Sequence, residues 1–298
     1  MKRAVSISLG STKRDKVVEV DLLGERVRIE RIGTDGDVAR AAALFAELDG
    51  KVDAFGVGGI DLGVHTPWEF YPLRDAQRMV KHVRRTPIVD GGGLKMTLEA
   101  RVMQVVEREI GADIRPKTAL LVAAITRYGM TLSFMSAGYE CVFGDLMFAL
   151  GLPIPLRSLV ALRRLAKVLL PILGRLKIEW LYPTGEKQEK NEPKYEEHYR
   201  WASVTAGDFL YVKKHLPERM DGKTIVTNTT TAGDVAFLRE RGVKYLATTT
   251  PVYDGRSFGT NMLEAALVAV SGQGRALAHD EIDALIDRLN LQPQIQRL

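Results

Sequence analysis

Among the 298 residues there is one cysteine, Cys141. No disulfide can close within the chain, which suits a reducing, cytoplasmic setting. No stretch approaches the roughly 18 apolar residues a membrane span needs, so none is expected. The start, MKRAVSISLGSTKRDK, has too short an apolar run between its charges to read as a signal peptide. His65, His82, His198, His215 and His279 show neither metal-ligand spacing nor cysteine partners, so no metal is expected. A serine-hydrolase G-x-S-x-G elbow is missing, and Gly91–Thr97 (GGGLKMT) lacks the spacing of a phosphate-binding P-loop. Aromatics are 7% of the chain and the net charge is only +5. That balance draws small phosphorylated or carboxylated molecules but offers no basic, aromatic-rich face for nucleic acid.

What is present is ordinary for a globular chain: 46% hydrophobic and 27% charged residues. The length predicts two domains or one large one. Residues 1–116 read as a mixed α/β unit. Ala4–Leu9 is a strand, Lys16–Leu22 and Arg26–Ile32 alternate as a hairpin, and Asp37–Leu48 is a helix with an acid at its start. Ala54–Ile60 and Pro87–Val89 are strands ending in glycine-rich loops, Leu73–Val83 is an amphipathic helix, and Leu94–Glu109 is one long helix.

Residues 117–272 alternate strand and helix steadily. The predicted strands are Ala119–Ile125, Glu140–Gly144, Lys177–Leu181, Ser203–Thr205, Thr224–Thr227 and Lys244–Ala247. Short apolar strands between helices imply a parallel sheet covered on both faces, and six is the count of a Rossmann-like nucleotide-binding domain. The expected order is 3-2-1-4-5-6. Val122/Val226, Thr126/Thr230, Gly129/Gly233 and Gly138/Gly242 repeat at one offset of 104, supporting two related halves. Residues 273–298 would form a C-terminal helix packing back on the first domain. The basic, apolar stretch Leu156–Leu176 reads either as a membrane-surface helix or as a packed crossover helix, and the packed helix is favoured.

Three constellations could carry chemistry. The turn Thr126-Arg127-Tyr128-Gly129 opens a helix where a dinucleotide phosphate would sit, with one glycine instead of three. Asp145, 20 residues past Ile125, stands where an acid binds ribose hydroxyls. Asn228 and Thr249, just past the fifth and sixth strands, complete the expected cofactor set. The second is Gly255-Arg256-Ser257-Phe258-Gly259-Thr260-Asn261, whose arginine, hydroxyls and helix start suit an anion or a carboxylate; a glycine-permitted turn with a simple cap is the plainer reading. In the third, Asp61, Asp90 and Lys95 follow neighbouring strand ends and would converge as a proton shuttle, or else form a surface ion pair.

With those residues identified, the chain resembles the shikimate/quinate dehydrogenase group of NAD(P)-dependent oxidoreductases, and more closely a bacterial family labelled quinate dehydrogenase. Gly259-x-x-Met262-Leu263, followed by an alanine-rich helix to Gly272, is similar to the group's G-x-x-M-L-x-x-Q segment, with Ala266 in place of the glutamine. Gly93-Leu94-Lys95 stands where the group has N-V-T-x-P-x-K, and Ser6-Ile7-Ser8 is similar to its carboxylate-binding S-x-S pair. The resemblance implies an N-terminal substrate domain, NAD or NADP, and hydride transfer to or from a small hydroxy or keto carboxylic acid. It implies Lys95 as the proton donor, with Asp61 or Asp90 as partner, and Ser6, Ser8, Arg256, Ser257, Thr260 and Asn261 around the substrate. A homo-oligomer is compatible with this reading. The alternative is a non-catalytic binder of an anionic metabolite on a degenerate Rossmann scaffold.

Overall fold

The computed structural model describes residues 1–176, 191–253 and 256–298. The chain forms two compact units, one of residues 1–94, 169–188 and 259–290, the other of residues 95–168, 189–258 and 291–298.

In the first unit the strands are β1 (Lys2–Ser8), β2 (Lys16–Leu22), β3 (Glu25–Gly33), β4 (Ala54–Gly58), β5 (Gly63–His65), β6 (Phe70–Pro72) and β7 (Ile88–Val89). Five of them form a sheet in the order β2-β3-β1-β4-β7. β2 and β3 are the expected antiparallel hairpin, whereas β3, β1, β4 and β7 run parallel. Residue size alternates along β1 and β4. Val5, Ile7, Leu9, Phe55 and Val57 bury one face with Phe45 and Met79 from the helices Val38–Leu48 and Arg74–Met79. The opposite face carries Ala4, Ser6, Ser8, Ala54, Gly56 and Gly58, as period-two alternation requires. Onto this small-residue face packs the helix Thr260–Ser271. Its approach is close: a Cβ on Gly56 would meet the Asn261 carbonyl oxygen at 2.8 Å.

In the second unit the strands are β8 (Thr118–Leu121), β9 (Glu140–Phe143), β10 (Val204–Gly207), β11 (Thr224–Thr227), β12 (Tyr245–Thr248), the short pair β13 (Val252–Tyr253) and β14 (Arg256–Ser257), and β15 (Gln294–Arg297). The six-stranded sheet has the order β15-β12-β11-β10-β8-β9. β9, β8, β10, β11 and β12 are parallel, with the chain reversing its direction of travel across the sheet between β8 and β10. Leu120, Val142, Phe148, Tyr199, Phe209, Val212, Ile225 and Leu246 are among the residues of its main core. The helix Tyr128–Ser136 lies with Val102–Ile110 and the 3-10 turn Glu99–Arg101.

The architecture is therefore α/β, a mixed N-terminal sheet and a Rossmann-like sheet, with corrections in detail. The sheet is not wholly parallel: β15 pairs antiparallel with β12 at the edge, as a short polar tail can where only one side needs a partner. The predicted strand Lys177–Leu181 lies outside the described residues. The single helix Leu94–Glu109 is broken into Gly92–Met96, the 3-10 turn and Val102–Ile110. Between them, the Ala100 and Arg101 amides bond to the Thr97 and Leu98 carbonyls, three residues back, which tightens the turn. The unit boundary falls after Leu94, not at 116, because Val102–Ile110 packs on the Tyr128–Ser136 helix. The C-terminal segment is divided as well. The helix His279–Arg288 joins the first unit and β15 the second.

Candidate functional site

Each unit gathers polar side chains at the carboxyl ends of its parallel strands. In the first unit the Asn261 side-chain amide donates to the Ser6 hydroxyl at 2.6 Å. Ser8, at the end of β1, accepts from the Gly10 amide at 3.1 Å and from the Arg31 guanidinium at 2.9 Å. A Cβ built on Gly58 would lie 2.9 Å from the Ser8 hydroxyl oxygen and 3.2 Å from the Asn261 amide nitrogen, so these two groups face one small space. At Gly91 a Cβ would meet the Thr260 hydroxyl at 2.5 Å and the Asn261 backbone nitrogen at 2.8 Å. The first turn of the Thr260–Ser271 helix therefore sits over the ends of β1, β4 and β7. Gly259 caps that helix without a side-chain hydrogen bond, and the Met262 and Leu263 amides bond to its carbonyl at 3.0 and 3.1 Å, so the Thr260 and Asn261 amides stand at the helix's positive end. Ser6, Ser8, Thr260 and Asn261 are thus brought together, while Ser257 lies in the second unit. There its hydroxyl accepts from the Thr230 amide at 2.7 Å. The Arg256 side chain lies outside the described residues.

Asp90 is buried and accepts from the Leu62 and Gly92 amides at 2.8 and 2.9 Å. Its Oδ1 also lies 3.4 Å from Nε2 of His65, whose ring packs against Phe70. Sequence reasoning passed over His65 because it sought metal spacing; the pairing depends on the hairpin of β5 and β6 folding back toward Asp90. Asp61 is half-buried. Lys95 belongs to the second unit, where it is 7% exposed. Its charge opposes the upward push of burial on the Glu99 pKa.

In the second unit the expected phosphate turn is already engaged. The Asp145 carboxylate accepts from the Ala124 and Ile125 amides at 3.2 and 2.9 Å. Burial outweighs those bonds and pushes its pKa up to about 6. The Thr126 hydroxyl turns back on the Ala123 carbonyl oxygen at 3.4 Å. Arg127 is buried, joined to Glu99 by a short ion pair and to Asp208 at 2.5 Å. A Cβ on Gly129 would lie 2.1 Å from the Lys95 carbonyl oxygen. That glycine therefore serves close backbone packing at the helix start and leaves no opening for a ligand. A dinucleotide pyrophosphate needs free turn amides and an open helix N-terminus. The residues after β8 do not fit that group.

The same edge holds a continuous polar row across the switch point. Asn228 donates to Asp208 at 3.0 Å and accepts from the Phe209 amide at 3.2 Å, and Thr250 donates to the Asn228 carbonyl at 2.8 Å. Glu99 Oε2 and the Thr249 hydroxyl are buried without a hydrogen-bond partner among the described residues. Burial pushes the Glu99 carboxyl up, against the opposing pull of Arg127 and Lys95. Asp208 and Glu99 were missed. Asp208 follows β10 as Asp145 follows β9, so the same strand-end rule could have found it; Glu99 carried no signal beyond its place four residues after Lys95. Cys141 is buried, and burial pushes its thiol up to about 12, consistent with inert core.

Among the described residues no group of three or more His, Cys, Asp or Glu could hold a metal, and no helix is long and apolar enough to cross a membrane.

Fold and site together define a two-unit α/β protein with polar strand-end clusters in both units. By its match over residues 93–298, the chain belongs to the family described as a domain of unknown function, DUF8754; residues 3–90 match a second such domain, DUF8753. No curated protein matches. Among solved structures, an NAD-dependent malic enzyme from Thermotoga maritima is 11% identical with a TM-score of 0.35, covering 96% of this chain and 84% of its own. The substrate-binding protein of a sugar ABC transport system from Bordetella parapertussis is 12% identical with a TM-score of 0.34, covering 99% and 83%.

Proposed function

We propose that the protein binds a small carboxylate-bearing metabolite in its first unit, at the start of the Thr260–Ser271 helix. The observation that carries this reading is the uncapped helix start seated beside Ser8, whose hydroxyl is held by Arg31. A carboxylate there would take amide N–H bonds and the Asn261 amide, with guanidinium charge nearby. Thermal-shift titration with quinate, shikimate and simpler hydroxy acids tests it. A ligand at 100 times its Kd stabilises by about 2.7 kcal/mol, and Arg31→Gln should remove the shift. If no carboxylate raises the melting temperature, the reading fails.

The oxidoreductase reading is second, favoured by the burial of Lys95 beside Glu99. It adds NAD or NADP and gives Lys95 a proton-transfer role. The cofactor would have to bind away from the turn after β8. Stabilisation by NAD or NADP in the same titration supports this reading; carboxylate binding with no dinucleotide response supports the binder.

A further inference from the structure

Ten large apolar side chains stand exposed among the described residues, and six of them fall between positions 150 and 172: Leu150, Leu152, Ile154, Val160, Val168 and Ile172. The last three lie on the helix Leu159–Leu173, which buries Leu162, Ala166 and Leu170 along its opposite side. At 100° per residue, Val160, Arg164, Lys167, Val168 and Ile172 share the outward face. Packing of the buried stripe accounts for the helix but leaves that face unexplained.

Charge says what would cover it. Residues 151–176 contain Arg157, Arg163, Arg164, Lys167 and Arg175 and no acid. Arg157 is paired with Glu140 at 3.0 Å, and Arg163 donates to the Tyr128 hydroxyl at 2.7 Å. Arg164, Lys167 and Arg175 are exposed and form no ion pair with a described residue. An outward face of branched apolar side chains interleaved with exposed cations that pair with no described residue fits a surface that is negative above and apolar beneath. We propose that this helix face docks the protein on anionic lipid bilayers, lying in the headgroup region without crossing it.

The test is co-sedimentation of the full chain with vesicles of phosphatidylcholine alone and of phosphatidylcholine mixed with phosphatidylglycerol. Binding is expected to the mixed vesicles only, and to fade as salt is raised. Each basic residue near such a surface strengthens binding about fivefold, so Arg164→Gln with Lys167→Gln should weaken it on the order of 30-fold. Val168→Ser with Ile172→Ser should weaken it roughly tenfold. All four positions are exposed, so circular dichroism and melting temperature should stay unchanged. Failure to bind mixed vesicles, or equal binding to both kinds, overturns the proposal. So does a concentration-dependent dimer that Val168→Ser with Ile172→Ser abolishes, which would assign the face to a second copy of the chain.

Discussion

Asn261 donates a 2.6 Å hydrogen bond to Ser6 across 255 residues of sequence. Both belong to the first unit, and Ser6 is 2% exposed. Removing the amide strands a buried hydroxyl, so Asn261→Ala should destabilise by about 1–3 kcal/mol. Ser6→Ala with Asn261→Ala should cost less than the sum of the single changes by at least about 0.5 kcal/mol in urea unfolding. Strict additivity would mean the two side chains are not coupled.

Asp145 should leave a pH signature. Its carboxyl is raised from 3.8 to about 6 on folding, chiefly by burial. The folded state binds that proton more tightly than the unfolded chain. Its stabilising contribution is therefore complete below about pH 4 and disappears as pH rises through about 6. The shift corresponds to roughly 3 kcal/mol. Unfolding free energies of the native chain and of Asp145→Asn, measured from pH 3.5 to 7, should diverge across that window by about this amount. A constant difference would refute the assignment.

Arg127 is held between Glu99 and Asp208. Arg127→Met should cost about 3–5 kcal/mol, because it leaves the Glu99 carboxylate buried beside a second acid. Adding Glu99→Leu should recover part of that loss, since the uncompensated charge goes with it. Denaturant midpoints at constant m-value measure both changes.

Two glycines make a matched comparison. Gly129→Ala places a methyl 2.1 Å from the Lys95 carbonyl oxygen, whereas Gly138, at φ +78°, has nothing within 4 Å of such a methyl. Gly138→Ala should cost about 1 kcal/mol, the strain of a left-handed residue. Gly129→Ala should cost more, about 2–3 kcal/mol, since backbone must move. Equal losses in melting temperature would remove the packing role given to Gly129.

The second sheet was legible because its strands are short apolar runs between helices, a pattern local enough to read. The repeat was legible too: the helices Tyr128–Ser136 and Ala232–Glu240 share the 104-residue offset seen in the sequence. β15 was not, because three polar residues and one isoleucine, QIQR, become a strand only beside the open edge of β12. Ser6 and Asn261 stood out separately, but their pairing follows from the small-residue face of β1 and β4. That face was written in the alternation of Val5, Ser6, Ile7 and Ser8 and was read only as ligand chemistry. Arg127 drew attention as a phosphate contact. Its carboxylate partners lie 28 and 81 residues away, beyond the reach of any local pattern.

The chain passes between its two units five times, and this bears on synthesis. When residue 94 leaves the ribosome, the first sheet has its five strands but lacks the Thr260–Ser271 helix. That helix contributes nine buried residues, and without it the Gly56 and Gly58 backbone has no cover. Elongation at about 5–20 residues per second leaves the half-built sheet waiting on the order of 10–35 s for residue 271. The first unit is thus unable to close until residue 271 has been made.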